Sequence, residues 1–254
     1  MHPVVLTVAG SDSSGGAGVQ RDIKTFESIG VYGASCITAL TAQNTEGVKK
    51  ILSLPPSFVK EQIDAVFEDM RVSAVKTGML YDESIILAVV DRLKFYMPRY
   101  IVIDPVMIAS TGSRLLSEDA VSSLFHKLLP IATISTPNKI EASLLSGIEI
   151  EKVENAEKAA RKIFDICKRP VLIKGGHIEK KKAVDILFDG ERITHFSDER
   201  FETKVHGAGC CLASAIASYL ALGNNLLSSI EKAKAFVTEC IRNARHYGKG
   251  LLVW

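Results

Sequence analysis

Short aliphatic and β-branched runs alternate with amphipathic segments along the whole chain, and this rhythm restricts the fold more than any other feature. Val4-Val5-Leu6-Thr7-Val8 has the character of a buried strand. Val19, Ile23 and Phe26 then share one helical face, and Gly30 stands where that helix would stop. Further strands are predicted over residues 34–41, 73–76, 100–103, 133–136 and 171–174. The segments between them carry helical spacing. Phe58, Val59, Ile63, Val66, Phe67 and Met70 mark one helix, and residues 82–94 a second. Ser117 is a candidate N-cap with Glu118 and Asp119 in the first turn. Residues 139–146 form a short helix closed by Gly147, and residues 155–169 a helix ended by Pro170. Asp189-Gly190 between two alternating runs, 183–188 and 192–196, signals a hairpin. Two apolar helices follow, over about 210–222 and 228–247. Strands separated by helices demand crossover connections, which are right-handed and place helices on both faces of a mostly parallel sheet. The expectation is an α/β chain with such a central sheet, a late antiparallel edge hairpin, and one domain over residues 1–254.

Charge excludes several partners. Thirty-one basic and 29 acidic residues leave a net charge of +2, which gives no reason to expect nucleic acid or an anionic membrane surface. The one basic cluster, Glu179-Lys180-Lys181-Lys182, follows Gly175-Gly176 and is best read as a solvated turn. No apolar stretch approaches the roughly 20 residues of a membrane span, and the first apolar run is too short for a signal peptide. Five cysteines without zinc-ligand spacing point to reduced thiols and a cytoplasmic protein.

Ligands of open parallel sheets bind beyond the carboxyl ends of the strands. Here six successive strand ends carry polar or glycine-rich groups: residues 10–18, Gln43-Asn44-Thr45, Thr77-Gly78-Met79, Asp104-Pro105-Val106, Pro137-Asn138 with Glu141, and Gly175-Gly176-His177. A purely structural domain has no reason for that arrangement. The glycine-rich stretch 10–18 suits an anion cradle or a tight strand-to-helix turn, and it lacks the Gly-Lys-Ser/Thr ending of a Walker A loop. His206-Gly207-Ala208-Gly209-Cys210-Cys211 is more specific. Three small residues, Gly207, Ala208 and Gly209, open an apolar helix whose free N–H groups form an anion hole. Cys210 in its first turn is expected to have a lowered pKa and to act as base or nucleophile, while Cys211 is expected to be a packed residue. Asp104 and Glu141 are oxygen ligands suited to Mg²⁺, although Glu141 taken alone is better read as a solvated helix residue. Lys174, ending an apolar strand, is expected to meet an anion. The histidines at 2, 126, 195 and 246 carry little signal, and His177 lies near the rim without a nameable partner.

The chain resembles the hydroxymethylpyrimidine and phosphomethylpyrimidine kinases of thiamine biosynthesis, within the ribokinase-like superfamily. The resemblance spans nearly all of it. It rests on Ala9-Gly10-Ser11-Asp12-Ser13-Ser14-Gly15-Gly16-Ala17-Gly18-Val19-Gln20-Arg21-Asp22, residues 37–45, Lys76-Thr77-Gly78-Met79-Leu80, Asp104-Pro105-Val106-Met107, Thr136-Pro137-Asn138 and Val205-His206-Gly207-Ala208-Gly209-Cys210. What the resemblance implies is a ribokinase-like fold and an ATP-dependent phosphotransferase. Gln43 would read the pyrimidine edge, with Gly10, Asp22, Met79 and Val106 as the rest of the pocket. Asp104 and Glu141 would hold Mg²⁺ and phosphate, and Lys174 and Lys234 would lie at the nucleotide. Cys210 takes the place of the aspartate base of sugar kinases. Ala208 and Cys211 stand where relatives carry threonine. A homodimer is implied by the resemblance alone. A pyridoxal or pyridoxine kinase is the nearest alternative; a non-catalytic nucleotide-binding module and a cysteine hydrolase are the others.

Overall fold

A computed structural model describes residues 2–108, 115–176, 178, 182–202 and 205–254. His177 and most of the basic cluster at 179–182 lie outside the described residues.

Nine strands form one sheet in the order β3-β2-β1-β4-β5-β6-β7-β8-β9. They are β1 (Val4–Asp12), β2 (Tyr32–Asn44), β3 (Gly47–Ser53), β4 (Val72–Thr77), β5 (Tyr100–Ile103), β6 (Ile134–Ser135), β7 (Val171–Ile173), β8 (Lys182–Phe188) and β9 (Ile193–Glu199). The middle of the sheet, from β2 to β7, is parallel, and β8–β9 is the antiparallel hairpin that Asp189-Gly190 predicts. The other edge is also antiparallel: β3 folds back on β2. That strand is absent from the sequence reading, because Gly47-Val48-Lys49-Lys50-Ile51-Leu52-Ser53 is half polar and has no strict alternation. Its pairing with β2 supplies the stability that its pattern does not advertise.

Helices α1 (Gly18–Ile29), α7 (Ala208–Ala221) and α8 (Leu226–Arg242) cover one face. Helices α2 (Pro56–Asp69), α3 (Glu83–Tyr96), α4 (Glu118–Ser123), α5 (Lys139–Ser146) and α6 (Val153–Cys167) lie in the chain's remaining crossovers, and the core on the opposite face draws on all of them. Ser117 occupies the N-cap of α4 but makes no side-chain cap bond there. Helix α8 stops at Arg242, five residues short of the expected 247, and the chain then crosses to bridge Arg245 with Val253.

Strand alternation places the site. Val5, Ala74, Val102 and Leu172 point toward α1 and α7, whereas Leu6, Val75, Ile101 and Ile173 point to the other side. With a side-chain period of two, Thr7, Lys76, Asp104 and Lys174 continue the first set. The polar ends of four strands therefore rise on the face where α7 begins.

Candidate active site

Helix α7 starts at Ala208 after Gly207, whose φ of +80° belongs to glycine. A methyl at Gly207 would fall 2.0 Å from the Gly16 carbonyl oxygen, and one at Gly16 would fall 2.2 Å from His206 Cδ2. The two glycine-rich loops thus interlock with no room for a side chain between them. Ala208, Gly209 and Cys210 are half-buried, so the first turn of α7 stays accessible while the helix behind it is buried. The Cys211 N–H closes the first turn onto Gly207 O at 2.9 Å, leaving the preceding amides free for an anion.

Lys174 and Asp104 meet this helix start. Lys174 Nζ lies 2.6 Å from Asp104 Oδ1, and a methyl on Gly209 would be 3.2 Å from that same Nζ. Glu141 is buried as the third residue of α5. It forms a capping box with Asn138, its Oε2 accepting from the Asn138 N–H at 2.7 Å, and its Oε1 accepts from the Met107 N–H at 3.4 Å. Burial pushes the Glu141 carboxyl up to about 7; Lys174 opposes this shift and Asp104 adds to it. An excess of buried negative charge between two oxygen donors fits a hard divalent cation. No group of three metal-binding side chains occurs among the described residues, so such a cation would draw its other ligands from phosphate and water.

Cys210 sits where both cradle helices begin, α1 at Gly18 and α7 at Ala208. The lowered pKa expected from the helix position is corrected by the structure. Burial pushes this thiol up to about 11; Lys76 pulls it down, and Asp22 and Asp104 add to the rise. The helix terminus does not outweigh desolvation of a thiolate beside two carboxylates. Cys211 is fully buried, as a packed residue should be.

Two other expected site residues have partners within the protein. Asp22 is the first. It is fully buried and takes Lys76 Nζ at 2.9 and 2.7 Å, Thr7 Oγ1 at 2.6 Å and Ser214 Oγ at 2.7 Å. Four hydrogen bonds from three groups fill a carboxylate, so Asp22 ties α1, β1, β4 and α7 together one turn beyond Cys210. Lys234 is likewise committed, with Nζ 2.7 Å from Asp185 Oδ2. Asp185 Oδ1 accepts from the Gly175 N–H at 2.8 Å, so Lys234 braces the backbone beside Lys174.

The structure brings three of the expected pocket residues, Gly10, Met79 and Val106, together. A methyl on Gly10 would lie 3.1 Å from Met79 Sδ, and Met79 packs in a small cluster with Ala39, Leu115 and Val106. Gln43 lines a separate 480 Å³ cavity with Ser14, Lys24, Tyr247 and Trp254. Sequence reasoning assigned no role to Asp12 or His206, which the fold joins across 194 residues: His206 Nε2 is 2.8 Å from Asp12 Oδ2. Their only signal was membership in the two glycine-rich motifs.

Comparison with known proteins agrees with this geometry. The family model described as phosphomethylpyrimidine kinase matches residues 12–253. A hydroxymethylpyrimidine/phosphomethylpyrimidine kinase of Aquifex aeolicus is 41% identical, covering 97% of both chains. The thiamine biosynthesis bifunctional protein of Geobacter sulfurreducens is 49% identical over 97% of this chain, which spans 50% of that longer protein. The crystal structure of phosphomethylpyrimidine kinase from Clostridium difficile 630 superposes with a TM-score of 0.84 at 45% identity, covering 94% of this chain and 99% of that one. An ADP complex of Bacillus subtilis pyridoxal kinase superposes with a TM-score of 0.92 at 34% identity, covering 100% of this chain and 96% of that one. Backbone shape is thus shared with both kinds of enzyme, while sequence lies nearer the pyrimidine kinases. By sequence over nearly its whole length and by fold, the chain belongs to the phosphomethylpyrimidine kinase family.

Proposed function

We propose that the protein transfers the γ-phosphoryl group of ATP to the hydroxymethyl group of 4-amino-5-hydroxymethyl-2-methylpyrimidine, and then phosphorylates the monophosphate, in thiamine biosynthesis. The observation that carries this is the meeting of the Asp104–Lys174 pair with the open first turn of α7. The alcohol rests between Gly10, Met79 and Val106, with Gln43 on its polar edge. The amides of Gly207 to Cys210 and the Lys174 ammonium stabilise charge on the transferring group. Phosphoryl transfer needs chiefly such positioning and electrostatics. With its pKa near 11, Cys210 is a protonated thiol at neutral pH, which favours a relay over a resting base. Its sulfur takes the hydroxyl proton while its own proton passes to a phosphoryl oxygen.

Asp104 and Glu141 are the residues that would hold Mg²⁺, which supplies charge neutralisation at the phosphates. Asp22 and Lys234 support the site from behind. We place the protein in the cytoplasm as a homodimer on family resemblance; no described helix is long and apolar enough to cross a membrane. Incubation with Mg-ATP and a panel of pyrimidine and pyridoxine-type alcohols, read by product mass, tests the assignment. Mono- and diphosphate of the aminopyrimidine are expected. Preference for the pyridoxine-type alcohol would overturn it in favour of the pyridoxal kinase reading.

A further inference from the structure

Gln43 carries a planar amide whose two ends differ chemically, and which end faces the ligand decides which heterocycle is accepted. Two independent hydrogen-bond counts fix that orientation. The Gln43 amide nitrogen, as placed, lies 2.9 Å from His206 Nε2, and that same ring nitrogen is 2.8 Å from Asp12 Oδ2. Asp12 is buried, yet its carboxylate accepts from the Ser14 N–H, the Ser14 hydroxyl and the Ala17 N–H, each at 2.8 Å. Burial alone would raise the Asp12 pKa, but the hydrogen bonds from His206 and Ser14 hold it below the usual value. The carboxylate is an acceptor only, so Nε2 of His206 carries the proton in either charge state of the ring. An N–H cannot also accept from an amide N–H. The amide atom beside His206 is therefore the oxygen.

The second count is at Thr41. Its hydroxyl lies 2.9 Å from the Ser11 carbonyl oxygen and 3.2 Å from the other end of the Gln43 amide. One hydroxyl has one proton, and the carbonyl can only accept it. Thr41 Oγ1 then needs a donor from Gln43, which places the amide nitrogen there. Both neighbours demand the same orientation, and oxygen and nitrogen of such a group are assigned by this network.

We propose that His206 is a specificity-determining positioning residue: through Asp12 it sets the orientation of the Gln43 amide. The proposal deepens the function proposed above and rests on it. The amide so held keeps one N–H and one oxygen lone pair for a ligand. With the ring nitrogen of the ligand against the amide N–H and its exocyclic group against the amide oxygen, that pair matches a 4-amino ring and mismatches a 4-oxo ring, whose N–H and carbonyl have the reverse polarity. The Cδ2 edge of His206 also abuts Gly16, so the device sits at the junction of the two glycine-rich loops.

The test compares catalytic efficiency on the 4-amino alcohol and its 4-oxo analogue for wild type, His206→Leu, His206→Gln and Thr41→Val. Wild type is expected to prefer the amino compound. In His206→Leu the amide is free to turn over, and the preference should narrow about tenfold, the size of one mismatched buried pair. His206→Gln, which keeps a donor, should retain more of it. Thr41→Val removes the second determinant and should narrow the preference in a protein whose loop junction is intact. The KM for ATP and the melting temperature report any general damage. Equal losses on both alcohols in His206→Leu, with no narrowing in Thr41→Val, would overturn the inference. A wild type inactive on the amino alcohol would instead overturn the proposed function.

Discussion

Replacing Lys76 with methionine tests the buried ion pair beneath Cys210. Lys76 and Asp22 have no exposed side-chain surface, and Lys76 supplies two of the four hydrogen bonds on the Asp22 carboxylate. Methionine fills much of the volume but leaves the charge of Asp22 with only the hydroxyls of Thr7 and Ser214. Removing one partner of a buried pair costs about 3–5 kcal/mol, mostly because the remaining charge is uncompensated. The two hydroxyls keep part of the solvation, so the lower half of that range, about 3–4 kcal/mol, applies here. At roughly 2–4 °C per kcal/mol for a chain of this size, the melting temperature should fall by about 10 °C. Urea unfolding followed by circular dichroism, with calorimetry, measures both quantities. Adding Asp22→Asn removes the orphaned charge and should recover more than half of the loss. A loss below about 1 kcal/mol in the single variant, or a double variant no more stable than the single one, would refute the reasoning.

Other consequences are as direct. Cys210 should alkylate slowly: with the thiol at about 11 against a reference of 9.0, iodoacetamide at pH 8 should label it about a hundredfold more slowly than a free cysteine, the rate rising only toward pH 11, as peptide mapping by mass would show. Fast labelling at pH 7 would restore the activated-thiolate reading. Cys210→Ala should lower turnover by about 10² or more with nucleotide binding retained, whereas Cys211→Ser should be mild; the reverse result in steady-state kinetics would shift the site by one residue. Gly207→Ala should abolish activity and destabilise by more than Gly223→Ala. Both residues have positive φ, but only Gly207 faces a backbone oxygen 2.0 Å from the added methyl, while Gly223 has open space. Equal melting temperatures for the two variants would show that the loops do not interlock.

The alternating apolar runs determined the sheet and its helices, because periodicity is local and burial on both faces leaves a continuous aliphatic signature. The antiparallel hairpin at Asp189-Gly190 was legible for the same reason: a two-residue turn needs particular residues. Gly10, Met79, Asp104, Lys174 and the Gly207–Cys210 turn were readable as a site because strand ends and helix starts can be located from pattern alone. Strand β3 was not, since its half-polar sequence becomes a strand only through pairing with β2. The roles of charged residues were decided by tertiary structure. Asp22 and Lys234 stand as binding groups in the sequence reading, and Asp12 and His206 have no role there. Which of them is used up depends largely on partners distant in sequence, such as Thr7 on Asp22, 15 residues away, and His206 on Asp12, 194 residues away. The same holds for Cys210, whose position on a helix start suggests a reactive thiolate. Desolvation and two neighbouring carboxylates outweigh that position, and both are properties of packing in three dimensions.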